Sequence, residues 1–353
     1  MPGAVRFLPI AVLVLGCRGR TNMFAAAGPQ SERLRGLLIA YLAVLLVVFA
    51  VVLAVLALAI IRGRAKGRGL EPIVDPPRTA AQAPLARPID EPSPARERAL
   101  FVSVAGAVAL TAVILFALLV ASYRTGKAVA AHGSGHSMVV EVTGHQWWWE
   151  FRYLDPLASQ IVTDANELHI PVGRQVELSL RSADVIHSFW VPRLHGKRDL
   201  IPGDPATLVI QADAPGEYPG TCAEFCGLQH AHMSFTVIAH PEEEFRAWKA
   251  SALQAAPAPT TDEQKRGQKV FLSSTCVMCH TISGTPAQAK TGPDLSHVGS
   301  RKTLAAGFLP NSRGHLAGWI SDPTGIKPGV RMPPSPLPPD DLRALLAYLE
   351  SLQ

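Results

Sequence analysis

Two uncharged apolar runs, Gly36 to Ile61 and Ala99 to Ser122, dominate the first third of the chain. Each exceeds the ~20 residues a helix needs to cross the hydrocarbon core of a bilayer, so the pattern predicts a two-span hairpin over residues 30–125. After Met138 the pattern switches to alternation. Met138-Val-Val-Glu-Val-Thr143, Asn166-Glu-Leu-His-Ile170, Gln175-Val-Glu-Leu-Ser-Leu180, Thr207-Leu-Val-Ile-Gln-Ala212 and Met233-Ser-Phe-Thr-Val-Ile238 all read as strands. Pro171-Val-Gly173, Ile201-Pro-Gly203 and Ala214-Pro-Gly216 supply turns between them. Many short strands with such turns predict an all-β sandwich or barrel over residues 138–250. A helix opens at Pro241, with glutamates in its first turn suiting the helix dipole. A Pro/Ala connector, residues 254–260, then leads to an all-α region, 261–353. There one helix runs from Thr261 through Phe271. A closing helix, Asp340 to Leu352, sets Leu342, Leu345, Leu346 and Leu349 on one face, as core against the first.

Composition refines this picture. With 48% hydrophobic and only 17% charged residues, the chain suits a membrane protein with soluble parts. The formal net charge of +5 is concentrated at Arg62, Arg64, Lys66 and Arg68, with Arg96 and Arg98 at the far end of the same loop. That distribution argues against nucleic acid as a partner and for a membrane-adjacent face. The positive-inside tendency puts residues 62–98 in the cytoplasm and everything after Tyr123 outside. Residues 1–17 read as an export signal, in which Arg6 precedes an apolar run ending at Leu15-Gly16-Cys17.

Four of the five cysteines form two tight pairs, each with histidine nearby. In Cys222-Ala-Glu-Phe-Cys226-Gly-Leu-Gln-His230-Ala-His-Met233 two thiols, an imidazole and a thioether can meet in one loop, and such soft ligands select copper, zinc or iron. A distant imidazole, His187, can join them at one end of a barrel. A blue-copper site would have one thiolate too many, structural zinc would leave Met233 unused, and two coppers bridged by two thiolates would use the whole set. Cys276-Val-Met-Cys279-His280 has the spacing of c-type haem attachment, with His280 as proximal ligand. A second axial ligand then comes from Met332, in Gly329-Val-Arg-Met332-Pro-Pro, because Met278 lies inside the attachment pentapeptide.

Cys-x-Glu-x-Cys-x₃-His-x₂-Met with an upstream His resembles the binuclear copper centre, CuA, of cytochrome c oxidase subunit II. The resemblance implies a cupredoxin-like Greek-key barrel. It also implies Cys222 and Cys226 as bridging thiolates, His187 and His230 as caps, Met233 as a weak ligand and the Glu224 carbonyl as another. Gly144-His-Gln-Trp147-Trp-Trp149-Glu-Phe-Arg-Tyr153 resembles the family's aromatic segment, which implies Trp147 as the point of electron entry. The Glu224 side chain and Asp199 fall where the family meets subunit I and a nearby magnesium. Glu97 resembles the carboxylate near the entrance of a proton pathway. Residues 261–353, with Thr291-Gly-Pro-Asp-Leu295 and the Met332 stretch, resemble a class I cytochrome c. The whole resembles subunit II of a caa3-type oxidase.

The resemblance implies an electron relay from an external cytochrome c through haem c and CuA to haem a of subunit I. Oxygen reduction and proton pumping would take place there, with subunits I and III and membrane lipid as partners and no catalytic residue in this chain. The small subunit of a CuA-containing nitric-oxide reductase is the alternative, since its catalytic chain is also separate. Leu15-Gly16-Cys17 resembles a bacterial lipoprotein processing site. Mass spectrometry should therefore find a mature chain that begins at an acylated Cys17; an intact Met1 would exclude this.

Overall fold

A computed structural model describes residues 19, 21–65, 93–130 and 138–353. The expected signal segment with Cys17, and most of the basic loop between the spans, lie outside the described residues. The described chain divides into two compact units, Gly36–Ala128 and the remainder.

The first unit holds most of two long helices, α1 (Pro29–Ala65) and α2 (Pro94–Ala130). Each contains an 18-residue window long and apolar enough to cross a membrane, and neither window is buried. Leu46, Phe101 and Phe116 are each about two-thirds or more exposed. A water-soluble fold would not leave apolar surface of that extent uncovered. Tyr41 Oη donates to the carbonyl of Leu118, 3.4 Å away, linking the two helices.

In the second unit, ten strands numbered in chain order form two five-stranded sheets. One sheet runs β3 (Val162–Ala165), β2 (Trp148–Tyr153), β1 (Met138–His145), β5 (Val176–Ser182), β8 (Ala206–Ile210). The other runs β4 (Glu167–Pro171), β10 (Ser234–His240), β9 (Gly216–Cys222), β6 (His187–Trp190), β7 (Arg198–Leu200). Alternate residues of both sheets turn inward, as the period-two pattern requires. Val140, Val142, Leu178, Leu180, Trp149 and Phe235 are among those buried between them. The cupredoxin-like domain is thus a sandwich, closed by helix α3 (Glu242–Ala252).

Strands β2, β6 and β9 are not among those the alternation predicts. Strand β9 contains Gly216, Pro219 and Gly220, residues that ordinarily argue against a strand. Pro219 is tolerated because β6 pairs with β9 only at Cys222 and Thr221, leaving no ladder bond on that side of Pro219. Gly220 is required because a Cβ there would lie 2.2 Å from the Phe235 ring.

The C-terminal region is helical as expected: α4 (Asp262–Ser273), α5 (Arg313–Ser321), the short α6 (Pro323–Ile326) and α7 (Pro339–Ser351). Thr261 opens α4 with a capping box to Gln264. Phe271, Leu345, Leu346, Tyr348 and Leu349 form the core between α4 and α7.

The Pro/Ala connector does not leave this domain detached; it packs on the copper domain within one unit. Arg301 donates from Nη2 to Asp164 Oδ1 at 2.8 Å, and the Lys302 amide donates to Glu167 Oε1 at 2.7 Å. Burial and the neighbouring Asp164 raise the Glu167 carboxyl to about 7. A second patch centres on Lys327, which is 1% exposed. Its ammonium donates to the carbonyls of Trp147 (3.1 Å), His232 (2.7 Å) and Ala305 (2.9 Å). Burial pulls the Lys327 pKa down to about 8.

Helices α4 and α7 cross at Gly267, where a Cβ would lie 1.9 Å from the Ala344 carbonyl oxygen. Gly267→Ala should therefore destabilise this domain by about 1–3 kcal/mol. The effect would be read as faster amide exchange across both helices, with the copper-domain strands as protected as before.

Candidate metal centre

The loop from Cys222 to Met233 is pinned at its base, where the Cys222 amide donates to the Met233 carbonyl at 2.9 Å. Cys222 ends β9, and Met233 immediately precedes β10, the antiparallel neighbour of that strand. His187 opens β6, whose Phe189 pairs with Cys222. Sheet pairing thus brings a histidine 35 residues upstream beside the loop.

The sulfurs of Cys222 and Cys226 lie 3.7 Å apart, and both thiols are free. His187 Nδ1 is 4.0 Å from the Cys222 sulfur, and His230 Nδ1 is 3.6 Å from that of Cys226. Met233 Sδ is 3.8 Å from the Cys226 sulfur, and the Glu224 carbonyl oxygen is 3.2 Å from that of Cys222. Among the described residues, His187, Cys222 and Cys226 form a buried group able to hold a metal ion. Two thiols, each with its own imidazole nitrogen and one further weak ligand, make a pseudo-symmetric donor set. Such a set fits two soft ions better than one.

The electrostatics favour loading. The Cys222 thiol is held down at about 3, first by the hydrogen bond from Cys226. The same pairing raises Cys226, which keeps its proton beside the Cys222 thiolate. A cation entering here binds thiolates and displaces the protons of the pair. His187 is fully buried, and its Nε2 lies 2.8 Å from Asp184 Oδ1. Burial works against the imidazolium, but the bonds to Asp184 and Cys222 win and raise its pKa. Burial also opposes the Asp184 charge, yet the bonds from His187, the Val185 amide and the Gln146 amide lower it to about 2. With Nε2 on a carboxylate, Nδ1 is the nitrogen aimed at the sulfurs.

Tight backbone geometry supports the loop. Gly227 has φ +112°, and a Cβ on it would lie 3.0 Å from the Trp147 ring. Trp147 Nε1 and Gln146 Nε2 both donate to the Cys226 carbonyl, at 3.0 and 2.9 Å. The other two tryptophans serve packing: Trp149 lies in the core against Phe235, and Trp148 stacks on His145.

In the helical domain Cys276 lies within a single 3-10 turn, Thr275–Met278, and Cys279 caps its end. His280 Nδ1 donates to the Pro293 carbonyl at 2.7 Å, and burial lowers the His280 pKa. A neutral imidazole with its δ-proton engaged leaves Nε2 free for an axial bond to iron. A Cβ at Gly292 would lie 2.8 Å from that ring, so glycine is needed there. Met332 is half-buried in the stretch that follows Lys327. Glu97 lies exposed in the first turn of α2, and Asp199 lies exposed on β7.

Residues 138–240 match the family model for the periplasmic domain of cytochrome c oxidase subunit II, and residues 264–353 match that for cytochrome c. The chain is 33% identical over 368 residues to cytochrome c oxidase subunit 2 of Alkalihalophilus pseudofirmus, covering 99% of this chain and 97% of that relative. The chain belongs to the cytochrome c oxidase subunit 2 family. The corresponding protein of Bacillus sp. strain PS3 is 35% identical over 230 residues, 62% of this chain and 63% of its own length. The solved periplasmic domain of cytochrome oxidase subunit II from Bradyrhizobium japonicum is 28% identical, with a TM-score of 0.31, covering 33% of this chain and 92% of that one.

A member of this family with a fused cytochrome c domain is a membrane subunit of a haem–copper oxidase, which implies a subunit I beside it. The copper domain implies CuA and the cytochrome domain haem c. Asp184, Gln146 and Lys327 are functional neighbours that sequence reading missed. Asp184 had a signal, an acidic residue three positions before the candidate ligand His187. Asp184→Asn keeps the shape and removes the charge. It should weaken copper retention about 10–100-fold in a chelator titration; unchanged retention would remove Asp184 from the support of His187.

Proposed function

We propose that this chain is the electron-input subunit of its oxidase, accepting electrons outside the membrane from a cytochrome c and passing them singly to haem a of subunit I. The carrying observation is the pair of thiols 3.7 Å apart, each with an imidazole nitrogen beside it, in the same compact unit as Cys276-x-x-Cys279-His280. When bound, haem c and CuA supply reversible one-electron chemistry; oxygen reduction and the proton pumping coupled to it belong to the partner subunit I.

This chain's residues hold those groups and restrain them. Cys276, Cys279, His280 and Met332 would hold the haem. His187, Cys222, Cys226, His230, Met233 and the Glu224 carbonyl would hold two coppers, and the Glu224 side chain would bind magnesium at the subunit I boundary. Ligands fixed by strand pairing and by the Asp184 and Pro293 contacts limit rearrangement when charge changes, which favours fast transfer. Trp147, bonded to the Cys226 carbonyl, is the point of electron entry.

The purified complex should contain two coppers per chain with a mixed-valence EPR signal, and should consume oxygen with reduced cytochrome c. One copper or one zinc per chain would refute the assignment. In the same preparation Met332→Ala should abolish the six-coordinate low-spin haem spectrum.

A further inference from the structure

The haem domain reaches the copper loop through two of its own turns. The first is residues 305–308, between the short strands β11 (Thr303–Leu304) and β12 (Leu309–Pro310). There Ala305, Ala306 and Gly307 all have positive φ, at 52°, 60° and 79°. Such a run is costly for alanine and persists where surrounding contacts enforce it. Those contacts are with the end of the copper loop: the Ser234 amide donates to the Ala306 carbonyl at 3.0 Å, and Phe308 packs on His232 with centroids 4.4 Å apart.

The second turn follows α6 and runs from Lys327 to Arg331. A Cβ on Gly329 would lie 3.4 Å from the Trp147 ring and 3.1 Å from Leu228. Val330 packs against the copper-domain core, and Gln229 Nε2 donates to the Pro328 carbonyl at 2.7 Å. Trp147 is left only 8% exposed.

Lys327 joins three parts of this contact. Its three carbonyl partners are Trp147, beside the copper loop; His232, next to the ligand Met233; and Ala305, at the strained turn. A buried ammonium is costly unless its hydrogens are all engaged, and here three donors meet three carbonyls. Charged donors to neutral acceptors are also stronger than neutral pairs. Two of its three acceptors, Trp147 and His232, lie in the copper domain, so the arrangement is complete only when the domains are docked.

We propose that Lys327 is a positioning residue for electron hand-over, clamping the turn that leads into Met332 against Trp147 and the copper loop. This rests on the relay reading above. In the step it serves, one electron leaves ferrous haem c, which becomes ferric, and enters the oxidised copper pair, which becomes fully reduced; no bond is made or broken and no proton moves. Without the clamp both cofactors remain loaded, but the turn lifts from the Trp147 face and the distance between donor and acceptor is no longer fixed.

The test uses the intact, cofactor-loaded complex carrying Lys327→Met, which keeps the length of the side chain and removes its donors. Haem absorbance and copper EPR should match wild type. Amide exchange over residues 144–149 and 328–331 should quicken about tenfold or more, the scale expected when hydrogen bonds from a charged group are lost. Electron re-equilibration from flash-reduced haem to copper should slow in parallel. Unchanged exchange in both segments overturns the proposal, whether or not the rate changes, since a rate effect alone would come from charge and not from position. If Lys327→Met does not accumulate, Lys327→Gln, a shorter neutral donor, gives the same exchange readout, with faster exchange over 144–149 and 328–331 supporting the clamp and unchanged exchange refuting it. A wild-type complex whose reduced haem never reduces the copper would overturn the relay reading instead, and the exchange comparison would still judge the clamp.

Discussion

The single bond from the Cys222 amide to the Met233 carbonyl sets the terms for the metal centre. It closes a twelve-residue excursion at its base, so the excursion cannot drift along the sheet without breaking the β9–β10 ladder behind it. With both ends fixed, the choice of conformation falls to the tip. There Gly227 adopts a backbone angle that other residues resist, and Trp147 and Gln146 hold the Cys226 carbonyl from outside. The second sulfur is thereby placed opposite the first, and the β6–β9 pairing delivers His187. A metal site assembled this way is rigid because the sandwich is rigid, and the ligands need no energy from the ion to find one another.

The same loop is the surface on which the haem domain sits. Two of the contacts that hold the domains together differ in physical character. At Asp164 and Glu167 the contact is between a cation or an amide and carboxylates near strand edges. At Lys327 it is between a buried ammonium and backbone carbonyls. The first kind depends on a carboxylate charge that protonation can remove; the second depends on the backbone path of both domains.

Much of this was legible in the sequence, for reasons that particular residues make clear. Cys222, Cys226, His230 and Met233 lie within one loop, so their spacing alone restricts the chemistry. Cys276, Cys279 and His280 are closer still. The apolar runs of α1 and α2 declare themselves by length. Strand β9 was hidden, because its fitness as a strand depends on Phe235 filling the space above Gly220 and on β6 leaving Pro219 unpaired; neither fact is local. Lys327 was hidden for a deeper reason. Between Ile326 and Pro328 a lysine reads as a solvated turn residue, and its partners are main-chain oxygens, which have no side-chain signature. Interfaces made of backbone acceptors leave almost no trace in sequence, and so the docking of the two domains could be read only from the fold.

The near-complete covering of Trp147 changes what kind of event the meeting of the two domains is. A separate carrier would have to find this face by diffusion, at a rate set by its concentration and by the ionic strength of the medium. A domain joined by a short connector and already seated faces its acceptor at an effective concentration that no dissolved partner approaches. In the relay proposed above, recognition of mobile carriers falls to the outer surface of the haem domain, where it can diverge without disturbing the metal loop.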